Sequence, residues 1–257
     1  MDTYSIKQIG IVRSCFPEKF GIPRQAGLVE TEGRIEFYPP YNDRNAFKGL
    51  EDCSHIWVLW LFSESDDEWR PMVRPPRLGG NTKVGVFASR SPFRPNSIGM
   101  SCVELKSIEM TDKGPVLVVS GLDMLDGTPV IDIKPYNRAG DCRPEAACGF
   151  TDSIEDDTIE VVVTEGVAES SGISEEDLQI IKELIAKNPR PRYQDDGRKY
   201  GMKYKNLNIR FKVERDKAMI DEITDEEVIV ANEAYDEYVQ NGEKSRPISE
   251  LWKELDL

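Results

Sequence analysis

Apolar and polar residues alternate along several short stretches in the first half of the chain. Residues 6–14 (IKQIGIVRS) alternate in this way, and residues 55–62 (HIWVLWLF) are almost entirely aliphatic or aromatic. Alternation with a period of two predicts a half-buried strand, and the apolar run predicts a buried one. The same criteria predict strands at residues 33–37, 83–89, 100–108, 116–121 and 130–135.

Glycine and proline separate these stretches. Only residues 42–50 favour a helix in this half, with Asn42 or Asp43 as the N-cap. Frequent short strands with a single helix indicate a mainly β structure, either a compact barrel or an α+β domain. A Rossmann-type unit is disfavoured, because the chain has no GxGxxG pattern and no helix between successive strands.

The pattern changes after residue 135. Residues 174–187 (SEEDLQIIKELIAK) place four apolar residues on one face behind Ser174 as N-cap, which predicts an amphipathic helix. Further strands are predicted at residues 159–163 and 207–214. We therefore predict a first domain over residues 1–150, a small α+β domain over residues 151–224 and an acidic extension over residues 225–257.

Charge is distributed unevenly along the chain. The net charge of −14 over 257 residues argues against non-specific binding to nucleic acid. Residues 69–100, however, contain no acidic residue between Arg70 and Asn96. A stiff cationic segment in an acidic protein predicts a site for a ligand that carries negative charge or phosphates. The basic residues of this segment are Arg70, Arg74, Arg77, Lys83, Arg90 and Arg94.

The chain lacks the residues that several classes of protein need. One histidine leaves almost no material for a His-based metal site or a Ser-His-Asp triad, and we predict no metal. Five cysteines without a CxxC pair favour reduced thiols in a cytoplasmic protein. The chain has no apolar run of membrane-spanning length and no secretory signal pattern, so we predict no membrane association.

Two loops carry side chains suited to anionic ligands. Residues 21–27 (GIPRQAG) place Arg24 and Gln25 on a rigid turn, which suits a carboxylate or a nucleobase but also an ordinary surface loop. Residues 89–101 (SRSPFRPNSIGMS) carry two arginines, which suit carboxylates and phosphates or hold a structural loop in place.

Carboxylates and the single histidine are the candidates for proton transfer. Residues 122–136 contain Asp123, Asp126 and Asp132, which suit a divalent cation, a general base or hydrogen bonds to a sugar. The spacing of an EF-hand is absent. His55 is the single histidine, the residue type whose charge ordinarily changes near neutral pH. A histidine at the start of a strand is, however, more often a hydrogen-bonded structural residue.

Taken together, these segments resemble the TrmO family, also described as TsaA-like or YaeB-like. The resemblance lies in PRQ at residues 23–25, SHIW at 54–57, WRPMVRPPRLGGN at 69–81, GVFASRSPFRPNSIGMS at 85–101 and LDGTPVIDIKPY at 125–136. The C-terminal domain of the family is similar to NPRPRYQ at 188–194, YGMKY at 200–204 and LNIRFKV at 207–213. The family consists of S-adenosylmethionine-dependent tRNA methyltransferases.

The resemblance implies a fold, a reaction and a set of cofactor contacts. It implies a single-sheeted β-barrel that binds S-adenosylmethionine, followed by a small α+β domain, in a homodimer with the active site near the subunit interface. The implied reaction is N6-methylation of N6-threonylcarbamoyladenosine next to the tRNA anticodon. The implied cofactor contacts are Pro23, Arg24, Gln25, His55, Ile56, Arg90, Met100, Asp123, Met124, Leu125 and Asp126.

Roles in catalysis and RNA binding follow as hypotheses. We predict that Asp126, or a polarised water, accepts the N6 proton. The residues expected to meet the tRNA anticodon stem-loop are Arg70, Arg74, Arg77, Arg94, Arg190, Arg192, Lys203 and Lys205. Two alternatives are a regulatory module that binds S-adenosylmethionine without turnover, and a methyltransferase that acts on another RNA or a small molecule.

Overall fold

The computed structural model describes residues 2–65, 68–79, 81–154, 158–190 and 197–225. The strands are β1 (Gly10–Arg13), β2 (Glu32–Phe37), β3 (His55–Leu61), β4 (Met72–Val73), β5 (Val84–Gly85), β6 (Ile98–Thr111), β7 (Gly114–Ser120), β8 (Pro129–Pro135), β9 (Glu160–Val163), β10 (Lys199–Tyr204), β11 (Leu207–Glu214) and β12 (Lys217–Asp225). The helices are α1 (Arg138–Asp141), α2 (Val167–Ser171) and α3 (Glu175–Ala186).

Six strands close into an antiparallel barrel in the order β1-β2-β7-β6-β3-β8. β3 pairs with β6 on one side and with β8 on the other. Alternate residues of β3 face the interior, so Ile56, Val58 and Trp60 are buried while their neighbours in the strand are more exposed. The predicted mainly β barrel is therefore confirmed, with the aromatic run of residues 55–62 as one of its central strands.

Two elements predicted for the first half are wrong. Residues 42–50 form two short 3-10 turns instead of an α-helix. Asp43 caps the first turn, but the chain becomes extended at Lys48 and left-handed at Gly49, which ends any continuous helix. Residues 83–89 contain only the two-residue strand β5, followed by a 3-10 turn.

A second sheet follows in the order β10-β11-β12-β9. β10, β11 and β12 form antiparallel pairs, and β9 joins β12 in parallel. Helix α3 contributes Ile181, Leu184 and Ile185 to the core, as its sequence pattern predicts. The predicted N-cap is confirmed, because Ser174 Oγ accepts a hydrogen bond of 3.1 Å from the Asp177 amide. Residues 226–257 of the predicted extension lie outside the described residues.

The barrel and the second sheet share one hydrophobic core. Residues 15–24, between β1 and β2, pack against the second sheet and are here called the junction loop. The Phe20 ring stacks on Tyr200 and Phe211, with centroid separations of 6.1 and 6.4 Å. Polar contacts add to this packing: the Lys203 amide donates to the Glu18 carboxylate at 3.0 Å, and the Lys205 amide donates to the Cys15 carbonyl at 2.8 Å.

Beside the junction loop, Asp177 accepts hydrogen bonds from Lys205 Nζ at 2.7 Å and from the Tyr204 hydroxyl at 3.1 Å. Burial acts to raise the pKa of Asp177, but these partners and Ser174 outweigh it and hold the pKa below its usual range. A carboxylate with a lowered pKa stabilises the fold above the pKa of the unfolded chain, and this contribution is lost as the pH falls through the folded-state pKa.

Asp177→Asn is therefore expected to lower the free energy of unfolding at pH 7 by about 1–2 kcal/mol, because it removes a charge-assisted hydrogen bond. The difference from the unsubstituted protein should persist above about pH 4, the ordinary carboxyl range, and shrink at lower pH. Urea unfolding at a series of pH values measures it. Asp112→Asn, in the exposed β6–β7 turn, is the matched control. A pH-independent difference would contradict the assignment.

Candidate active site

A cavity of about 490 Å³ opens at the end of the barrel where β3 finishes and β6 begins. Its wall combines the junction loop, the segment after β3, the segment before β6 and the connection from β7 to β8. Apolar lining comes from Trp60, Leu61, Phe62, Ile98, Met100 and Leu125. The charged lining residues are Lys19, Arg24, Glu64, Arg90, Arg94 and Asp123.

Three side chains form a hydrogen-bonded chain that reaches the cavity. Trp60 Nε1 donates to Ser101 Oγ at 3.0 Å, and Ser101 Oγ donates to Asp123 Oδ1 at 2.5 Å. Ser101 is only 1% exposed, so the chain lies in the barrel interior. Because Ser101 accepts a hydrogen bond from Trp60 and donates one to Asp123, it orients the Asp123 carboxyl from inside the barrel.

Burial raises the pKa of the Asp123 carboxyl above its usual range. The hydrogen bonds from Ser101 and from the Ala26 amide, together with the charge of Arg90, partly oppose this shift by favouring the ionised form. A carboxyl with a raised pKa in a cavity is a typical feature of a site that transfers protons.

Gly99 allows the Trp60 indole to lie directly against β6. A Cβ atom at this position would lie 2.3 Å from Cε2 of the indole, well inside van der Waals contact. Only a glycine therefore lets Trp60 keep its hydrogen bond to Ser101.

Comparison with known proteins identifies the family. Residues 11–142 match the model of the tRNA-methyltransferase O N-terminal domain, and residues 157–226 match that of the TrmO C-terminal domain. The chain belongs to the TrmO family.

Two bacterial relatives are matched over more than nine tenths of their own length. The tRNA (adenine(37)-N6)-methyltransferase of Escherichia coli K12 is 40% identical over 222 residues, covering 83% of this chain and 94% of the relative. A putative S-adenosylmethionine-dependent methyltransferase, RcsF, of Pseudomonas aeruginosa is 41% identical over 215 residues, covering 80% and 91%. The crystal structure of TrmO from Pseudomonas aeruginosa superimposes with a TM-score of 0.69 at 34% identity, covering 87% of this chain and all of that one.

Most of the cofactor residues implied by the TrmO motifs line the cavity. They are Pro23, Arg24, Gln25, Arg90, Met100, Asp123 and Leu125. The loop that carries the first three is held from both sides, since Gly27 donates its amide to the Gly121 carbonyl at 2.9 Å and Arg24 Nη2 donates to the Asn188 carbonyl at 2.7 Å.

Three of the implied residues do not line the cavity, His55 and Ile56 because of their positions in β3 and Met124 because its side chain is buried. His55 begins β3, about 20 Å along the strand from the end that borders the cavity. Its Nδ1 shares a hydrogen bond with Ser54 Oγ at 3.0 Å. Ile56 and Met124 point into the core, where their side chains are fully buried. None of the three lines the cavity of the single chain.

Asp126, the predicted proton acceptor, is also absent from the cavity wall. Its Oδ1 accepts a hydrogen bond of 3.0 Å from the Ser14 amide, and its Oδ2 lies 3.9 Å from Arg13 Nη1. These contacts fix the turn after β1. Asp123, three residues earlier, does line the cavity, as does Glu64.

The arginines expected to meet RNA differ in their surroundings. Arg94 lines the cavity and donates through Nη1 to the Val86 and Ser89 carbonyls at 3.0 and 2.7 Å, so it also fixes the local loop. Arg70 is exposed, pairs with Glu68 at 2.9 Å and lies 4.2 Å from the Phe93 ring centroid. Arg74 is exposed and Arg77 is half-buried.

In the C-terminal half, Arg190 is largely buried. It is only 9% exposed, and its guanidinium donates to Asn188 Oδ1 at 3.0 Å and to the Arg215 carbonyl at 2.8 Å. These contacts give Arg190 a structural role in this domain, and its contact with RNA stays a prediction. Lys203 is partly exposed and Lys205 is exposed at the surface of the sheet. Lys205 forms an ion pair with Asp177. Arg192 lies outside the described residues.

Sequence reasoning missed Trp60 and Ser101. The inward-facing alternation of β3 gives a signal for Trp60, but nothing local indicates that Ser101 links it to Asp123. Among the described residues, no three His, Cys, Asp or Glu side chains come together as a possible metal site. In the same part of the chain, no helix is long and apolar enough to cross a membrane.

Proposed function

We propose that the protein transfers a methyl group from S-adenosylmethionine to N6 of adenosine 37 in tRNA, the reaction named for its Escherichia coli relative. Three of the segments through which the chain resembles the TrmO family, residues 23–25, 85–101 and 125–136, meet at one cavity, and this convergence carries the proposal. We propose N6-threonylcarbamoyladenosine as the substrate nucleoside. Arg90 and Arg94 supply positive charge at the cavity for the carboxylate of its threonyl group.

The residues around the cavity fit S-adenosylmethionine. Its volume of about 490 Å³ is within the usual range for small-molecule sites. Trp60, Phe62 and Met100 offer apolar surface for a purine ring, while Arg24 suits a carboxylate and Asp123 offers a counter-charge. When bound, the cofactor supplies an electrophilic methyl group on a positively charged sulfur.

Asp123 is our candidate for the acceptor of the N6 proton. The carbamoyl group of the substrate withdraws the N6 lone pair, so N6 becomes a good nucleophile only as its proton leaves. Ser101, itself held by Trp60, orients the Asp123 carboxylate before the substrate arrives. Burial raises the pKa of Asp123, which makes its carboxylate a stronger base than an exposed aspartate.

The partners and the compartment belong to the same proposal. We propose that the tRNA anticodon stem-loop contacts Arg70, Arg74, Arg77 and Arg94 beside the cavity, and Lys203 and Lys205 on the second sheet. We also propose a homodimer, which is supported by the exposure of Ile98 and Met100 next to the cavity. All five cysteines are free thiols, which supports a reducing cytoplasmic location.

The decisive experiment transfers methyl groups from labelled S-adenosylmethionine to tRNA with and without the threonylcarbamoyl group. We expect incorporation only into the modified tRNA, and the released nucleoside should gain the mass of one methyl group. Incorporation into both tRNAs would contradict the proposed substrate. Binding of the cofactor without transfer to either would contradict the proposed reaction.

A further inference from the structure

Phe87 is a large apolar side chain that the protein leaves uncovered beside the cavity. It is 72% exposed, and it lies in the 3-10 turn Val86–Ala88, directly before the cavity residues Ser89 and Arg90. An exposed aromatic ring at the rim of a ligand cavity is available for contact with a molecule that approaches the cavity.

The turn that carries Phe87 is rigid. Val86, which precedes it, is 1% exposed and anchors the turn in the interior. The Val86 carbonyl accepts hydrogen bonds from the Ser89 amide at 3.1 Å, from Ser89 Oγ at 2.9 Å and from Arg94 Nη1 at 3.0 Å. The backbone that carries the exposed ring is therefore fixed, so little backbone conformational entropy is lost on binding.

A cationic side chain lies against this ring, and a second lies on the same surface. The Arg94 guanidinium lies 5.5 Å from the Phe87 ring centroid. The β4–β5 ladder brings the exposed residues Arg70 and Met72 to the same surface, because the Val86 amide donates to the Pro71 carbonyl at 3.0 Å. A fixed aromatic ring among arginines is the combination that binds unpaired nucleobases, since the ring stacks on the base and the cations meet its phosphates.

We propose that Phe87 stacks on an unpaired nucleobase next to the adenosine that enters the cavity. This inference rests on the proposed function, which places a single-stranded RNA loop at the cavity. It assigns to Phe87 a binding role that the motif arginines cannot fill, because guanidinium groups at this surface contact phosphates whatever the base sequence. The loop base itself, and not only the backbone, then contributes to recognition.

Phe87→Ala should raise the KM for an anticodon stem-loop RNA by about tenfold, the usual loss for one stacked base, while kcat changes less than about twofold. Phe87→Tyr should keep the KM near that of the unsubstituted protein. Met110→Ala is the matched control, since Met110 is 56% exposed near the far end of β6. The dissociation constant for S-adenosylmethionine should be the same in all four proteins.

Fluorescence anisotropy of a labelled stem-loop measures RNA binding directly, so this test does not depend on whether the proposed reaction occurs. If the unsubstituted protein binds the RNA but does not methylate it, the proposed function fails, and a tenfold weaker binding by Phe87→Ala still supports stacking. Equal binding by Phe87→Ala and the unsubstituted protein would overturn the inference. A change in molar mass on Phe87→Ala would also overturn it, because the ring would then lie between two copies of the chain.

Discussion

Asp123→Asn is expected to slow the single-turnover rate of methyl transfer by about a hundredfold or more, the usual contribution of a positioned general base. An asparagine keeps the size of the side chain and can still accept the hydrogen bond from Ser101, but it cannot take up a proton at pH 7. Single-turnover kinetics with saturating S-adenosylmethionine and modified tRNA measures the effect without a contribution from product release.

The raised pKa of Asp123 also predicts how the rate of methyl transfer changes with pH. Because burial raises the pKa of Asp123, the fraction of active carboxylate should increase as the pH rises through a range above that of an ordinary aspartate. The rate of the unsubstituted protein should therefore fall on the acidic side, and Asp123→Asn should lose this limb. Asp126→Asn is the paired control and should retain most of the rate, since Asp126 lies outside the cavity. A larger loss in Asp126→Asn than in Asp123→Asn would reverse the assignment.

Gly99→Ala is expected to lower the free energy of unfolding by about 1–3 kcal/mol and to weaken the binding of S-adenosylmethionine. The new methyl group would lie 2.3 Å from the indole of Trp60, so the indole or β6 must move. Either movement strains the hydrogen bond from Trp60 to Ser101 and thereby the position of Asp123. Thermal unfolding and calorimetric titration with the cofactor measure the two effects.

Gly201→Ala provides the control for Gly99→Ala. Gly201 is also a strand glycine, in β10, but nothing lies within 4 Å of the position that a Cβ would occupy. Its replacement should change the free energy of unfolding by less than about 0.5 kcal/mol, as is usual for a surface site. Similar losses in the two variants would show that the close approach of Trp60 to β6 is not the cause.

The sequence predicts the strands and helices whose periodicity is strong. β3 and α3 follow directly from an apolar run and from an amphipathic face behind a Ser174 cap. Residues 42–50 also have an apparent cap, yet they form 3-10 turns, because the left-handed Gly49 and the extended Lys48 interrupt the backbone. Neither β10 nor β12 is predicted from the sequence, because Gly201 interrupts the pattern of β10 and Asp221 and Glu222 interrupt that of β12. Pairing with β11 forms both strands.

The site is harder to predict than the fold, because it depends on contacts between distant parts of the chain. Asp126 is the base predicted from the sequence, whereas the closed barrel brings Asp123 to the cavity and uses Asp126 to hold the Ser14 turn. The link from Trp60 through Ser101 to Asp123 joins three different segments. Motif resemblance locates the loops that meet at the cavity, but it does not state which side chains touch.

The stacking of Phe20 between the two halves of the molecule has a practical outcome for anyone who wishes to shorten the protein. A fragment that ends near residue 150 would uncover the ring that Tyr200 and Phe211 now shield, and would release Arg24 from the Asn188 carbonyl. Such a truncation would expose an aggregation-prone apolar surface and remove a contact that holds one wall of the cavity. A minimal version of the barrel would need polar replacements at Phe20 and a new tether for Arg24.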